Sequence, residues 1–435
     1  MKVKRKIKKS VKLTFIILIF LIIPIMVSVT ILKPKETIKK IDLISVVYEK
    51  INDDKIDKKF ITWVDNNYTD ALSKLNGLLD EEEYNRDLWH KVTGYSYIVL
   101  NDLYQNKYDE MDNVKILKTN KTSTLSFVGD VSLADNWEIM PEYDKRNKGI
   151  EGILSSDILK IMKESDLMVV NSEFTVSNRG SRMNGKMYTF RAKPERLSLY
   201  YDMGVDLVTL ANNHVYDFGR DAFLDMLDAF DEYKIPRIGA GRNLDEAEKP
   251  YYFIINGYKF AFVNASRAEK NRMTPGATIN SEGIFLCYDP TNMINLIKDL
   301  RDDTDYIITI IHFGKEFSHA LEEEQVSSAK AYIDAGSDIV IGHHAHVLQG
   351  VEIYKDKPII YNLGNFLFND ETIDTAIFQI ILNDDGNFDY LMIPALQKNS
   401  YTDILTGSEK NRVIDDLNSY SINAYIDLNG KIIKK

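Results

Sequence analysis

The chain has 435 residues, with 65 acidic side chains against 54 basic ones and a formal net charge of −11 at pH 7. An acidic excess of this size argues against a nucleic-acid-binding protein, and 44% hydrophobic with 27% charged residues excludes a wholly disordered chain. The single cysteine, Cys287, excludes an intramolecular disulfide and any cysteine-rich metal site.

The N-terminal segment consists of a basic stretch followed by an uncharged, apolar one. Residues 1–12 carry seven Lys or Arg side chains and no acidic one; removing these seven leaves 47 basic against 65 acidic side chains, a net charge of −18 for residues 13–435. Residues 13–32 contain no charge and are long enough for a transmembrane helix. A cleaved signal peptide would have a shorter apolar stretch that ends in small residues. We therefore predict a cytoplasmic tail over 1–12, a signal anchor in the cell membrane over 13–32 and an extracytoplasmic remainder.

Residues 33–122 are polar and favour helices. Tyr84, Leu88, Val92 and Tyr95 recur at three- and four-residue spacing, which predicts an amphipathic helix. This juxtamembrane region contains no recognisable chemistry. A stalk, a partner-binding helical module and a cap on the following domain all remain open for it.

From Ser123 onward, short runs rich in Val, Ile and Phe end in small or polar residues. The predicted strands are Leu125–Val128, Leu167–Val170, Val205–Leu210, Phe253–Ile255, Phe260–Val263, Tyr306–Ile311, Ile339–Ile341 and Ile359–Tyr361. The predicted helices between them are Ser156–Lys163, Gly219–Tyr233, Thr291–Arg301 and Glu322–Ala335. This alternation predicts an α/β domain, which we place over residues 123–400. Residues 401–435 form a C-terminal extension in which Asn429-Gly430 predicts a hairpin.

The residues that follow the predicted strands share a chemistry. Five of the seven histidines lie there, with two carboxylates and an amide: His214, His312, His343, His344, His346, Asp130, Glu173 and Asn213. Open α/β sheets place ligand sites at the carboxyl ends of strands, so we expect these side chains to lie together. Imidazole, carboxylate and amide ligands suit a divalent ion such as Zn, Mn or Fe. The ligands exceed the need of one tetrahedral ion, which favours two ions that activate water for attack on phosphorus.

Six motifs follow one another along this part of the chain. They are Gly129-Asp130, Asn171-Ser172-Glu173, Ala211-Asn212-Asn213-His214 with Asp217-Phe218-Gly219, His312-x-Gly314-x-Glu316, Gly342-His343-His344-Ala345-His346-Val347 and Leu363-Gly364-Asn365-Phe366. In this order they resemble the CapA family, the poly-γ-glutamate capsule biosynthesis proteins related to calcineurin-like metallophosphoesterases. The resemblance runs from about Thr124 to about Ile393. It implies a four-layer α/β/β/α metallophosphoesterase-like sandwich, a membrane anchor and an extracytoplasmic position.

The resemblance also implies roles for individual residues. The positions that match metal ligands are Asp130, Glu173, Asn213, His312, His344 and His346. His214 resembles the histidine that protonates the leaving group in metallophosphoesterases, a role that suits an imidazole with a pKa near neutrality. Asp217 either orients His214 or caps the helix that starts near Gly219, and we favour the cap.

Four further residues are expected around the ligands. His343 stands where the family pattern does not require histidine, so we expect it either to support the ligands or to have no role in the site. Glu316 and Asn365 are expected to support the ligands or to contact substrate. Arg191 also matches the family pattern and could meet an anionic substrate, with a structural salt bridge as the alternative.

Three functions are compatible with these features. The first is a metal-dependent hydrolase, most naturally of phosphoesters, that serves the synthesis or export of an anionic envelope polymer such as poly-γ-glutamate. The second is a non-catalytic, metal-stabilised scaffold that guides the polymer and docks to the membrane subunits of its synthase. The third is an amide hydrolase or transpeptidase that acts on the polymer. The presence of His214 in addition to the ligands favours catalysis.

Overall fold

The computed structural model describes residues 122–268, 273–383 and 386–435, together with parts of residues 90–117. The predicted tail, the predicted signal anchor and most of the predicted helical region over 33–122 lie outside the described residues. Among the helices of the described part, none is long and apolar enough to cross a membrane. All elements given below belong to the compact unit Trp89–Lys435.

The secondary structure of the described residues alternates between strands and helices. The strands are β1 (Val114–Leu117), β2 (Ser123–Val131), β3 (Leu167–Ser172), β4 (Thr175–Val176), β5 (Arg191–Ala192), β6 (Leu207–Thr209), β7 (Arg237–Ile238), β8 (Ala240–Gly241), β9 (Tyr251–Ile255), β10 (Tyr258–Ser266), β11 (Gly283–Ile284), β12 (Tyr306–Phe313), β13 (Ile339–His344), β14 (Val351–Tyr354), β15 (Lys357–Ile360), β16 (Asn365–Leu367), β17 (Ile373–Leu382), β18 (Phe388–Gln397), β19 (Thr402–Ile404), β20 (Ala424–Ile426) and β21 (Ile432–Lys434). The α-helices are α1 (Ile139–Arg146), α2 (Ser156–Glu164), α3 (Ser198–Met203), α4 (Arg220–Glu232), α5 (Leu244–Ala247), α6 (Thr291–Arg301), α7 (Glu323–Ala335) and α8 (Gly407–Tyr420). Short 3₁₀ turns occupy Lys107–Glu110, Gly149–Gly152 and Pro194–Leu197.

Two large mixed sheets contain most of these strands. The eight-stranded sheet has the order β19-β18-β17-β2-β3-β6-β7, and β16 pairs with β2 outside this path. The seven-stranded sheet has the order β1-β9-β10-β12-β13-β15-β14. Parallel pairing runs through β2, β3, β6 and β7 in the first sheet and through β10, β12, β13 and β15 in the second. The predicted α/β class is confirmed.

Buried apolar side chains form a core between the two sheets and another core on the outer face of each. In β2, Phe127 belongs to the core between the sheets, whereas Val128 belongs to the outer core that includes helices α2 and α4. In β12, Ile310 lies between the sheets and Ile311 lies in the outer core with helices α6 and α7. Successive residues of a strand point to opposite faces, so strands covered on both faces need continuous apolar runs.

The carboxyl ends of strands from both sheets meet at one edge of the domain. Asp130 pairs with Asn171 across β2 and β3, and His312 pairs with His343 across β12 and β13. Contacts between Asp130 and His343 join the two sheets at this edge, with 3.1 Å between Oδ1 and Nδ1. The strand ends therefore bring the predicted motifs together.

A glycine allows the backbone to approach closely at this edge. The Asp130 amide donates to the Gly364 carbonyl at 2.9 Å, and β16 follows at once to pair with β2. A Cβ atom at Gly129 would lie only 1.9 Å from that carbonyl oxygen. Position 129 therefore has no room for a side chain and requires glycine.

Candidate metal centre

A cluster of imidazole, carboxylate and amide groups is buried at the edge where the strands end. It contains all the predicted ligands: Asp130, Glu173, Asn213, His312, His344 and His346. Strands β2, β12 and β13 carry Asp130, His312 and His344, while the turns after β3, β6 and β13 carry the others. Fully buried carboxylates and imidazoles are rare without partners or metal ions, so their convergence calls for a chemical explanation.

Asp130 is held on both of its oxygen atoms. Oδ1 accepts a hydrogen bond from the Asn171 amide group at 2.8 Å and lies 3.1 Å from Nδ1 of His343. Oδ2 accepts the backbone N–H of His344 at 3.2 Å and lies 3.3 Å from Nδ1 of His346. Burial alone would raise the pKa of Asp130, but the interactions with His343 and His346 hold that pKa well below its usual range.

Glu173 lies among three imidazole rings. Its Oε1 is 3.6 Å from Nε2 of His312, 3.9 Å from Nε2 of His346 and 4.0 Å from Nε2 of His214. This oxygen accepts no hydrogen bond from the described residues. Burial and the nearby charge of Asp130 raise the pKa of Glu173 well above its usual value. The protein groups alone therefore leave this carboxylate poorly compensated.

Two overlapping groups of possible ligands share Glu173. One joins it to His344 and His346, the other to Asp130 and His312, and the ligand atoms of each group all lie within 4.8 Å of one another. Ligand atoms on one ion are about 3–3.5 Å apart, because metal–ligand bonds are about 2.0–2.2 Å long. Glu173 Oε1, His312 Nδ1 and His344 Nδ1 are all buried without a hydrogen-bond partner in the described structure. Since such orphaned atoms are costly, the donor set fits a divalent metal ion.

The backbone after β13 departs from ordinary strand geometry. The φ angles of His344 and His346 are 95° and 59°, in the left-handed region that non-glycine residues rarely adopt. Strain of this kind concentrates at functional sites. Nδ1 of His346 lies 2.7 Å from Oδ1 of Asn365, so Asn365 contacts the ring of a candidate ligand.

The pKa values of the ligand histidines move in different directions. Burial and the neighbouring His346 lower the pKa of His344 to about 3, and burial and His344 lower that of His312 well below its usual value. Burial opposes protonation of His346, but the hydrogen bond and charge of Asp130, with Glu316 and Asn365, together outweigh it and raise the pKa of His346. Neutral imidazole is the form that ligates metal, so His312 and His344 are already in the binding form at neutral pH.

His214 lies beside the ligands and is oriented by Asp217. Nδ1 of His214 is 2.8 Å from Oδ2 of the fully buried Asp217, so Nε2 faces Glu173. The favoured prediction that Asp217 caps a helix is wrong, because helix α4 begins after Gly219 without a side-chain cap. Burial lowers the pKa of His214, and the charge of Asp217 opposes this shift.

The remaining predicted residues lie at different distances from the ligands. Glu316 is exposed. Burial and the charge of Asp130 are the larger causes of the raised pKa of Glu173, and the charge of Glu316 adds to them. The guanidinium of Arg191 lies 4.3 Å from the centre of the Phe218 ring and has no acidic partner within the described residues. Among the described residues, Arg191 therefore does not form the structural salt bridge that was the alternative for it.

Two residues of the site were not predicted from the sequence. The Asn171 side-chain amide donates to Asp130 Oδ1 at 2.8 Å and to Glu173 Oε2 at 3.0 Å, so it links two ligands. Asn171 belongs to the motif Asn171-Ser172-Glu173 at the end of a predicted strand, and this position could have identified it. Lys186 is buried, with Nζ 2.7 Å from Oδ1 of Asp217. A lysine in a loop rich in polar residues has no sequence signal of this kind.

Comparisons with known proteins support the motif analysis. The family model for the bacterial capsule synthesis protein PGA_cap matches residues 124–370. The capsule biosynthesis protein CapA of Bacillus anthracis is 29% identical over 316 residues, covering 69% of this chain and 74% of that protein. The PGA biosynthesis protein CapA of Bacillus subtilis is 31% identical over 281 residues, covering 62% of this chain and 70% of that protein. A solved structure from Staphylococcus aureus, provisionally described as a 5′-nucleotidase in complex with α-ketoglutarate, matches with a TM-score of 0.41 and 14% identity. The match covers 68% of this chain and 58% of the other chain, which is less than two thirds of that chain's length.

Proposed function

Since the chain belongs to the bacterial capsule synthesis protein PGA_cap family, we propose that it serves the synthesis or export of a poly-γ-glutamate-type capsule polymer as a metal-dependent hydrolase. The resemblance to the CapA family in its motifs is confirmed by this membership. The observation that carries the enzymatic proposal is the position of His214. Its Nε2 lies 4.0 Å from Glu173 Oε1 beside a ligand set that has enough donors without it.

We propose a four-layer α/β/β/α sandwich of the metallophosphoesterase type as the frame of this site. Support comes from the cores on the outer faces of the two sheets, which contain helices α2 and α4 on one side and α6 and α7 on the other. The core between the sheets contains inward-facing residues of both, such as Phe127 and Ile310. A layered frame of this kind holds strand ends rigidly, which suits a preorganised site.

The proposed cofactors are divalent ions of Mn, Zn or Fe, and the two overlapping groups of possible ligands favour two of them. Glu173 belongs to both groups of possible ligands, so its carboxylate is the natural candidate to be shared between the ions. Asp130 and His312 would complete one group, while His344 and His346 would complete the other. Ions bound there would supply Lewis-acid polarisation and activation of water.

His214 would act as the general acid on a bound phosphoester. A water oxygen forms a bond to phosphorus while the ester P–O bond breaks, and the electron pair of that bond stays on the leaving oxygen. This oxygen takes the proton from Nε2 of protonated His214, and a proton from the attacking water restores the imidazolium. Asp217 at Nδ1 fixes the ring and opposes the lowering of its pKa by burial, while Phe190 packs with its ring centre 4.3 Å from that of His214.

The scaffold function remains the second candidate because the site is deeply buried. Only 7% of the His214 side chain and 7% of the His346 side chain are exposed, and Glu173 is fully covered. Metal ions in such a position could stabilise a polymer-guiding domain without turnover. An amide hydrolase or transpeptidase would use the same activated water on the polymer itself.

We also propose that the chain is anchored in the cell membrane with its main domain outside the cytoplasm. The support is the pattern of seven basic residues in 1–12 followed by the uncharged segment 13–32. An anchored domain could dock to the membrane subunits of a polymer synthase. The net charge of −18 over residues 13–435 would repel a polyanion, so bound metal ions would be needed to attract it.

The decisive test is metal analysis of the purified full chain, followed by assays on phosphomonoesters, phosphodiesters and poly-γ-glutamate. We expect at least one bound ion per chain and a strong loss of turnover in the His214→Ala variant. His319→Ala is the matched control, because the contacts of His319 in the described structure, with the Leu348 carbonyl and the Tyr420 ring, include no candidate ligand.

Two outcomes would contradict the enzymatic proposal. Turnover that is unchanged in His214→Ala would remove the general acid from the mechanism. Loss of surface polymer on gene deletion that His214→Ala restores in full would instead favour the scaffold. Turnover of poly-γ-glutamate alone would favour the amide hydrolase.

A further inference from the structure

We propose that Lys186 is a positioning residue of this site, which holds His214 and Asn213 in place through Asp217 and the Asn213 carbonyl group. The inference rests on the proposed function, since it assigns Lys186 to the protonation step. No motif of the sequence points to this lysine, and its role follows from contacts made across the fold.

Lys186 is a buried cation in the loop between β4 and β5, most of which is exposed. Only 5% of its side chain is exposed, whereas its neighbours Gly185 and Met187 are exposed. Its Nζ lies 2.7 Å from Oδ1 of Asp217, a carboxylate with no exposed surface. Lysine is almost never buried to this extent unless it is paired, and a buried pair stabilises little beyond its own desolvation. The pair is therefore better explained by the geometry that it imposes than by stability.

Asp217 is the point at which the loop and His214 meet. Oδ1 interacts with Lys186, and Oδ2 accepts the backbone N–H of Phe190 at 2.7 Å and contacts Nδ1 of His214 at 2.8 Å. The backbone carbonyl of Asp217 accepts the N–H of Met183 at 2.9 Å. Two groups of the loop thus hold the carboxylate and a third holds the Asp217 backbone, and the carboxylate determines how the imidazole is turned.

Lys186 also fixes the peptide that joins the ligand Asn213 to His214. Its Nζ donates to the Asn213 carbonyl, which also accepts the Thr274 hydroxyl at 2.8 Å. The N–H of His214 donates to Oδ1 of Asn212 at 3.0 Å. Lys186 contacts both this peptide and Asp217, so it couples the backbone of His214 to the carboxylate that orients its ring. Thr274 contacts the peptide alone.

Without Lys186, the Asp217 carboxylate and the Asn213 carbonyl group would each lose a contact. The Asp217 carboxylate could then turn away from its present position, and the His214 ring would follow. A misplaced acid matters most when the leaving oxygen needs a proton, as in an alkyl ester. A nitrophenyl ester has a leaving group that departs well as an anion, so its hydrolysis depends little on the acid. The ratio of the two rates therefore reports the position of the acid rather than the general state of the fold.

The experiment compares kcat and KM for an alkyl phosphoester and a nitrophenyl phosphoester in the metal-loaded full chain. The variants are Lys186→Met, Asp217→Asn and the double variant, which removes both charges of the buried pair and so leaves neither buried charge without its partner. The control is Lys259→Met, which breaks another buried pair, with 2.5 Å between Lys259 Nζ and Asp102 Oδ2. Lys259 lies seven residues before Ser266, the partner of His312. At about 3.3 Å per residue it is therefore about 23 Å from that strand end.

We expect Lys186→Met to lower kcat on the alkyl ester by about 100-fold, the lower range for general acid catalysis, and on the nitrophenyl ester by less than about 5-fold. KM and bound metal should change little. The double variant should match Asp217→Asn, because Lys186 acts through Asp217. Lys259→Met should leave the ratio of the two rates unchanged.

Equal losses on both esters, or multiplicative losses in the double variant, would overturn the inference while the proposed function stands. A wild-type chain that hydrolyses neither ester would instead overturn phosphoester hydrolysis as the proposed function, and the variants need not be compared. The two failures are therefore distinguished by the wild-type protein alone.

Discussion

Replacing Glu173 by glutamine removes one negative charge from the centre of the ligand cluster and keeps the shape of the side chain. Glu173 is fully buried, its Oε1 accepts no hydrogen bond in the described structure, and burial and Asp130 raise its pKa. We therefore expect opposite effects of Glu173→Gln on the metal-free and the metal-loaded protein. Without metal the variant is more stable than the wild type, and with metal it is less stable.

The magnitude follows from the cost of a buried group without a partner, about 1–3 kcal/mol. Because the folded pKa of Glu173 is raised, the wild type keeps its stability below the ordinary carboxyl pKa and loses it as pH rises through the folded value. The advantage of Glu173→Gln in chelator is thus smallest in acid and grows toward neutral pH. At about 2 °C per kcal/mol, the midpoint of thermal unfolding should rise by about 2–6 °C.

Metal reverses the order of stability because it binds the folded state. A free ion at 100 times its dissociation constant stabilises the wild type by about 2.7 kcal/mol. The variant lacks the carboxylate shared by both ligand groups, so most of this gain should be lost. The assay is thermal unfolding of the full chain in chelator and in excess Mn or Zn, from pH 5 to pH 8, with bound metal measured in parallel.

The matched control is Glu352→Gln. Glu352 is also buried, but Lys330 Nζ lies 2.9 Å from Oε1 and the Tyr361 hydroxyl donates to Oε2 at 2.7 Å. Breaking this pair should lower stability with and without metal and leave metal content unchanged. A Glu173→Gln variant that is less stable in chelator, or that retains full metal content, would refute the assignment of Glu173 as an uncompensated ligand.

Three further outcomes follow from the structure. Metal binding should release more protons at pH 6 than at pH 8, because His346 and Glu173 have raised pKa values and must lose their protons to bind metal. Calorimetry in buffers of different ionisation enthalpy measures the number of protons released, and an equal number at both pH values would contradict the expectation. Gly129→Ala should lower stability by about 1–3 kcal/mol and reduce metal content, since the new Cβ would lie 1.9 Å from the Gly364 carbonyl oxygen; unchanged unfolding and metal content would show that the strands can separate. Cys287 should resist thiol reagents at pH 8 until the chain unfolds, because it is fully buried and burial raises the pKa of its thiol to about 12; fast labelling of the native protein would disprove this.

The strands that the sequence predicts are those with both faces covered. Leu167–Val170 lies within β3, and Tyr306–Ile311 lies within β12. The prediction works because a strand between two layers must be apolar at every position. The two-residue strands β4 and β5 could not be found in this way, since their pairing is decided by neighbours rather than by an apolar run.

That the candidate ligands lie together could also be predicted from the sequence, because they follow those same strands. Once parallel strands are in register, residues such as His312 and His343 are adjacent whatever else the chain does. The role of Asp217 could not be decided in this way. A helix cap and a partner for His214 need the same residue at the same place, and only the direction of the side chain distinguishes them.

The amino-acid sequence by itself thus determined the α/β class, the family and the groups that meet at the strand ends, since apolar runs and motif order are local properties of the chain. Only the tertiary structure decided how His214 is held. Lys186 and Asp217 are 31 residues apart and meet through a loop without a repeating pattern. Contacts of this kind depend on where the folded chain places a loop, and no local pattern records that position.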